Sequence, residues 1–129
     1  MRTLAETLGD ARLLVVGGAG SLQVTEGGPR LVDTPEFPAA FKDEALSHAD
    51  VLTALRETSD DIDWFYVSPA AGFGSYAPGE ATGTYRVGGD VLLTDASGTS
   101  FISGADFALA FVDEIEQGRH HRERFTAAY

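Results

Sequence analysis

Apolar residues return along this chain with two different periods. Over 38–57, Phe41, Ala45, Ala49, Leu52 and Leu55 recur every three or four positions with polar residues between them, which predicts a helix with one face turned to a core. Phe107, Ala110, Phe111, Val112 and Ile115 repeat the pattern. Ser103 with Asp106 three residues on resembles an acidic capping box at the start of that second helix, and Gly118 is placed to end it. Leu4 and Leu8, followed by Gly9, read as the end of a further helix over 3–8. Elsewhere the apolar pattern is continuous: 12–16 carries Leu13-Leu14-Val15-Val16, and 62–68 carries Trp64-Phe65-Tyr66-Val67 before Pro69. Short unbroken runs closed by glycine or proline are how parallel strands buried on both faces read.

Strand, helix and strand in succession predict a parallel crossover, because a helix of that length does not fit in a hairpin. The expected fold is α/β, a partial Rossmann-like parallel sheet with a small β-hairpin subregion. The stretch 17–35 holds five glycines and two prolines, so it is read as loop with a short extended piece at 30–32. After a small-residue loop over 70–83, short strands are expected at 84–87, 91–94 and 100–102 around turns at Gly88-Gly89 and Ser97-Gly98. A last strand is expected over 122–127. No repeat or shift in composition marks a second domain, and 129 residues suit a single core.

Charge changes the picture of partners. Twenty acidic residues against nine basic give a net charge of -11, a field that repels phosphate backbones and anionic lipid surfaces. Neither nucleic acid nor membrane is an expected partner. The absence of cysteine excludes disulfides, thiolate nucleophiles and thiolate-bound zinc. The first ten residues lack the apolar run of a signal peptide, and a cytoplasmic location is expected.

Candidate chemistry is sparse. Gly17-Gly18-Ala19-Gly20-Ser21 after a strand suggests a dinucleotide loop, but the third glycine of that motif is replaced by Gln23, and Glu26-Gly27-Gly28-Pro29 follows where a helix should begin. A strand-end turn bordering a ligand is the better reading. The only lysine, Lys42, has Pro38 four residues before it, so the Tyr-x-x-x-Lys dyad of proton-transferring dehydrogenases does not form here. His120 and His121 lie among Arg119, Arg122 and Arg124 and read as a solvated basic patch, not a metal site. Asp113, Glu114 and Glu116 read as a solvated helix face. Ser68, Tyr66, Tyr76 and Tyr85 are the hydroxyls expected near a cleft, since ligands of open α/β sheets bind beyond the carboxyl ends of strands. Without a nearby base, Ser68 is read as bonded to local backbone and not as a nucleophile. Catalytic residues stay unassigned.

Several phrases together resemble one family. Leu13 to Leu22, Asp63-Trp64-Phe65-Tyr66-Val67-Ser68-Pro69-Ala70, Pro78-Gly79-Glu80, Thr82-Gly83-Thr84-Tyr85-Arg86, Ile102-Ser103 with Ala105-Asp106-Phe107-Ala108, and Arg124-Phe125-Thr126 are similar to the second half of the atypical short-chain dehydrogenase/reductases, NAD(P)-dependent oxidoreductases that include NADH-flavin reductase-like proteins. The resemblance implies that 12–16 and 62–68 are the fifth and sixth strands of a Rossmann-like sheet. It implies NAD(P) as cofactor, a small-molecule substrate, and a nicotinamide site at Gly17, Gly18, Ala19 and Gly20 with Ser68, Pro69, Ala70 and Phe73. It also implies that the glycine fingerprint and strands one to four of relatives have no counterpart here, so activity alone is expected to be weak or silent. The fifth strand would then be an exposed sheet edge, and the alternative is a non-catalytic module that forms a homodimer or accepts a complementing chain there.

Overall fold

The computed structural model describes residues 12–58, 62–73 and 79–129. The helix expected over 3–8, together with Tyr76, lies outside them. Strand β1 is Leu13–Val16, helix α1 Ala39–Arg56, strand β2 Trp64–Ser68, strand β3 Arg86–Gly88, helix α2 Gly104–Gln117 and strand β4 Glu123–Ala128. They form a four-stranded sheet in the order β1-β2-β4-β3. β1 runs parallel to β2, with Leu13 opposite Trp64 and Val16 opposite Val67, and β2 runs parallel to β4. Only β3 is antiparallel, against β4. The chain is therefore α/β, with a mostly parallel sheet.

Strand alternation divides the core in two. Trp64 and Tyr66 of β2 pack with Leu13 and Val15 of β1 against Leu52 and Leu55 of α1. Their neighbours Phe65 and Val67 point the other way, onto Phe107 and Ala110 of α2 with Phe125 and Ala127 of β4. Successive side chains leave a strand on opposite faces, so the helices cover opposite faces and all five residues of β2 are buried. That double burial is why β2 is apolar from Trp64 to Val67, with Phe65 meeting Phe111 edge-on at 5.6 Å between ring centroids.

The helix ends follow from local chemistry. Ser103 caps α2 by accepting from the Asp106 N–H at 3.1 Å, and Gly118 ends it in the left-handed conformation, at φ 60°. Three expectations need correction. Residues 91–94 and 100–102 make single bridges, Val91 with Gln23 and Phe101 with Gly72, so the antiparallel element is β3 on β4 and not a hairpin between them. Of the extended piece expected at 30–32, Arg30 is extended and bridges Gln23, whereas Leu31–Asp33 form a 3-10 turn, with Arg30 clasping Asp33 at 2.8 Å. No helix among the described residues is long and apolar enough to cross a membrane.

Candidate functional site

Because β1 and β2 are parallel neighbours, the chain leaves both at the same end of the sheet. Gly17 to Gly20 follows β1 and Pro69 to Phe73 follows β2. Together with Leu31, Thr34, Glu36 to Pro38 and the first half of α1, these segments enclose a cleft of roughly 570 Å³, within the range of about 300–1,000 Å³ usual for small-molecule sites. Phe37, Phe41 and Phe73 supply aromatic wall, and the polar side chains on the lining are Thr34, Glu36, Glu44 and His48. Phe73 is backed by Phe107 of α2 at 4.7 Å between ring centroids, so this wall is fixed from behind.

The glycine turn is shaped by its own protein. A Cβ on Gly17 would fall 1.9 Å from the Tyr66 ring, and one on Gly20 would fall 2.8 Å from the Ala45 Cβ of α1. Gly17 N–H donates to the Val67 carbonyl at 2.9 Å, and Gly18 N–H donates to the Tyr66 hydroxyl at 3.3 Å. That hydroxyl in turn donates to the His48 carbonyl at 3.1 Å. Burial raises the Tyr66 pKa above the ordinary phenol value, so the strut is a neutral O–H. These two N–H groups are thus spent inside the protein, whereas a phosphate cradle needs them free. The turn forms a close-packed wall and not a pyrophosphate nest.

Of the residues singled out from sequence, Gly17, Gly18, Ala19, Gly20, Pro69, Ala70 and Phe73 line this one cleft. Ser68 does not. It is wholly buried, its Oγ accepting from Arg124 Nη1 at 3.2 Å and its carbonyl from Thr126 Oγ1 at 2.8 Å. Tyr85 lies away from the cleft as well, donating to Asp113 at 2.5 Å, with its pKa pushed up to about 12 by burial and by that carboxylate.

Three buried polar centres escaped the sequence reading. Arg124 donates to Asp90 at 2.8 Å and to Ser21 Oγ at 2.9 Å, fastening the glycine turn to β4. Burial lowers its pKa, and Asp90 opposes that. The signal for it was an arginine alternating with the core residues Phe125 and Ala127. Asp106 accepts from the N–H groups of Thr82 and Gly83, each at 2.9 Å, and from the Tyr129 hydroxyl. These bonds, the Tyr129 one foremost, hold its carboxyl far below the usual range.

The third centre corrects two expectations. Glu114 is buried, not on a solvated face, and binds the His120 ring at 2.5 Å and its N–H at 2.9 Å, with Arg12 at 3.6 Å. Burial raises the Glu114 pKa, but the His120 bonds and Arg12 outweigh it and the net shift is downward. His121 contacts Asp63 at 3.0 Å, and its pKa is raised chiefly by that carboxylate. The histidines are therefore paired with acids. Arg12, Asp63 and His120 all precede strands, so this cluster sits at the end of the sheet opposite the cleft.

In its apolar walls, aromatic faces and volume the cleft fits a reduced, uncharged nicotinamide ring. Its described lining offers no lysine or arginine to a pyrophosphate.

No family model matches the chain. The uncharacterised protein YwnB of Bacillus subtilis is 47% identical over an alignment of 129 positions that covers 97% of this chain and 59% of that protein. A solved candidate exported protein of Burkholderia pseudomallei superimposes with a TM-score of 0.86 at 50% identity, covering 97% of this chain and 58% of that one. A solved candidate NADH-flavin reductase of Streptococcus pneumoniae gives 0.83 at 46% identity, covering 92% and 55%. The chain thus spans less than two thirds of each relative, and over that span it shares the partial Rossmann-like fold of these solved structures.

Proposed function

We propose that this chain forms the nicotinamide- and acceptor-side part of an NAD(P)-dependent oxidoreductase site of the atypical short-chain dehydrogenase kind. The observation carrying the proposal is the cleft at the carboxyl ends of β1 and β2, walled by Gly17 to Gly20 on one side and Pro69 to Phe73 on the other. Ligands of open α/β sheets bind at such strand ends. The name of the S. pneumoniae relative supports reductase chemistry. When bound, NAD(P)H supplies a hydride; the chain's own residues position the rings and keep water from them. Phe73, braced by Phe107, and Pro69 form one face, and the Tyr66 hydroxyl holds the facing glycine turn at fixed height. The described residues contribute no phosphate cradle, so the whole dinucleotide binds them more weakly than about 10 μM. On this reading the working location is the cytosol, where NAD(P)H is regenerated.

Titration with reduced nicotinamide mononucleotide and, separately, with ADP-ribose tests this by amide NMR. The mononucleotide is expected to shift Gly18, Gly20 and Ala70, and ADP-ribose to leave them in place. Shifts from ADP-ribose alone, or none from the mononucleotide at millimolar concentration, end the proposal.

A second reading, an interaction module, is favoured by one observation. β1 is an edge of the sheet among the described residues, and Val16 on it is 52% exposed. Unpaired edges recruit further strands, and a second copy of the chain is the partner proposed. Light scattering that gives a monomer at micromolar concentration, with cooperative unfolding, removes this reading.

A further inference from the structure

Hydride reduction of a carbonyl leaves negative charge on its oxygen, so a site that moves a hydride to a carbonyl also has to supply a proton. Few side chains on the described lining of the cleft can do so. Thr34 already donates its hydroxyl hydrogen to the Leu31 carbonyl at 2.7 Å. Glu36 and Glu44 are exposed, and a carboxylate open to water only accepts near neutral pH. The Tyr66 hydroxyl lies behind the glycine turn, where its hydrogen goes to the His48 carbonyl and burial raises its pKa. Lys42 is off the lining. His48 is left, and histidine is the side chain that both gives and takes a proton between about pH 5 and 8.

The parts that build the wall also place this ring. His48 stands half-buried in the middle of α1, and a Cβ added to Gly18 would come within 3.1 Å of its Nδ1, so the imidazole lies against the turn after β1. The Tyr66 hydroxyl holds the backbone beneath it, at 3.1 Å from the His48 carbonyl. That carbonyl makes the side-chain contact His48 has among the described residues, which leaves its ring nitrogens to a ligand. The charged groups facing the ring are Glu44, one turn earlier on α1, and Glu36 on the segment before α1; the segments 17–20 and 69–73 bring none.

We propose, resting on the reading above, that His48 is the catalytic acid of this cleft, giving its ring proton to the carbonyl oxygen of the acceptor as the hydride reaches the carbonyl carbon. A C–H bond of the reduced nicotinamide breaks with both its electrons, and a C–H bond forms on the acceptor. The carbonyl π pair moves to oxygen, where an O–H bond forms with the proton of the imidazolium. The products are an alcohol, the oxidised nicotinamide and a neutral imidazole, which recovers its proton from water at the mouth of the cleft.

The probe is 4-nitrobenzaldehyde, an aromatic carbonyl compound matched to the Phe41 and Phe73 walls, with millimolar NADPH as the hydride source. Without NADPH, the aldehyde is expected to shift the His48 ring nitrogen resonances, assigned by their loss in His48→Gln. With NADPH, kcat is expected to fall as pH rises through the imidazole range, since the protonated ring is the active form. His48→Gln keeps a hydrogen-bond donor but has no proton to give, so kcat is expected to drop about 100-fold with KM changed less than about twofold. Added imidazole is expected to restore part of the rate to His48→Ala, and circular dichroism checks that both variants keep their helices. An undiminished kcat in His48→Gln, a loss confined to KM, no rescue by imidazole, or no turnover by the unaltered chain overturns the inference. So does a His48 ring that stays in place while the cleft amides answer the aldehyde. In each of those cases, reduced nicotinamide mononucleotide still shifting Gly18, Gly20 and Ala70 leaves the nicotinamide reading standing. Turnover that depends on His48 in a chain unmoved by the mononucleotide does the reverse.

Discussion

A methyl group at position 17 would need the space filled by the Tyr66 ring. Gly17→Ala is therefore expected to destabilise the fold by about 1–3 kcal/mol through overpacking, read as a lower denaturation midpoint with an unchanged m-value. Tyr66→Phe keeps the ring and removes the hydroxyl that serves Gly18 and His48; a loss of about 1 kcal/mol is expected. Asp106 gives a pH prediction. Its folded-state pKa is depressed, so its contribution is complete above the unfolded value and is lost as pH falls below about 4 toward the folded value. Asp106→Asn is expected to flatten the acid limb of stability measured by urea titration across that window. At this scale the sequence revealed residue types and not their partners. The glycines after β1 were visible, yet their cause is Tyr66 and Ala45, far along the chain. Arg124 and Asp90 are 34 positions apart and Asp106 and Thr82 are 24 apart, separations over which no local pattern links a charge to its counterpart.

Elements were more legible, because a helix or a doubly buried strand writes its period into neighbouring residues. α1 and α2 followed from spacings of three and four, and β2 from an unbroken apolar run. The antiparallel region was less so: residues 84–102 contain turn chemistry at Gly88-Gly89 and Ser97-Gly98, but β3 finds its partner in β4, 40 residues on. Tertiary pairing decided what local propensity left open. The cap of α2 was legible and is testable by itself. Ser103→Ala removes the acceptor for the Asp106 N–H and is expected to cost about 1 kcal/mol, measured as a fall in the thermal midpoint. The Asp106 carboxylate is bonded to the 82–83 loop, so limited proteolysis of the same variant is expected to cut that loop faster.

For the whole molecule, the sheet order places helices on opposite faces and leaves β1 at an edge among the described residues. Val16→Lys on that edge is expected to abolish any self-association seen by light scattering, since an edge lysine opposes strand pairing. The cleft, by contrast, depends on one joint between layers: the Tyr66 hydroxyl touches both the turn after β1 and the backbone of α1 at His48. Whatever settles on the turn therefore also tightens the helix, and the linkage is reciprocal. Deuterium uptake in the middle of α1 becomes a remote gauge of occupancy, slowing when the cleft fills and ceasing to respond once position 66 loses its oxygen.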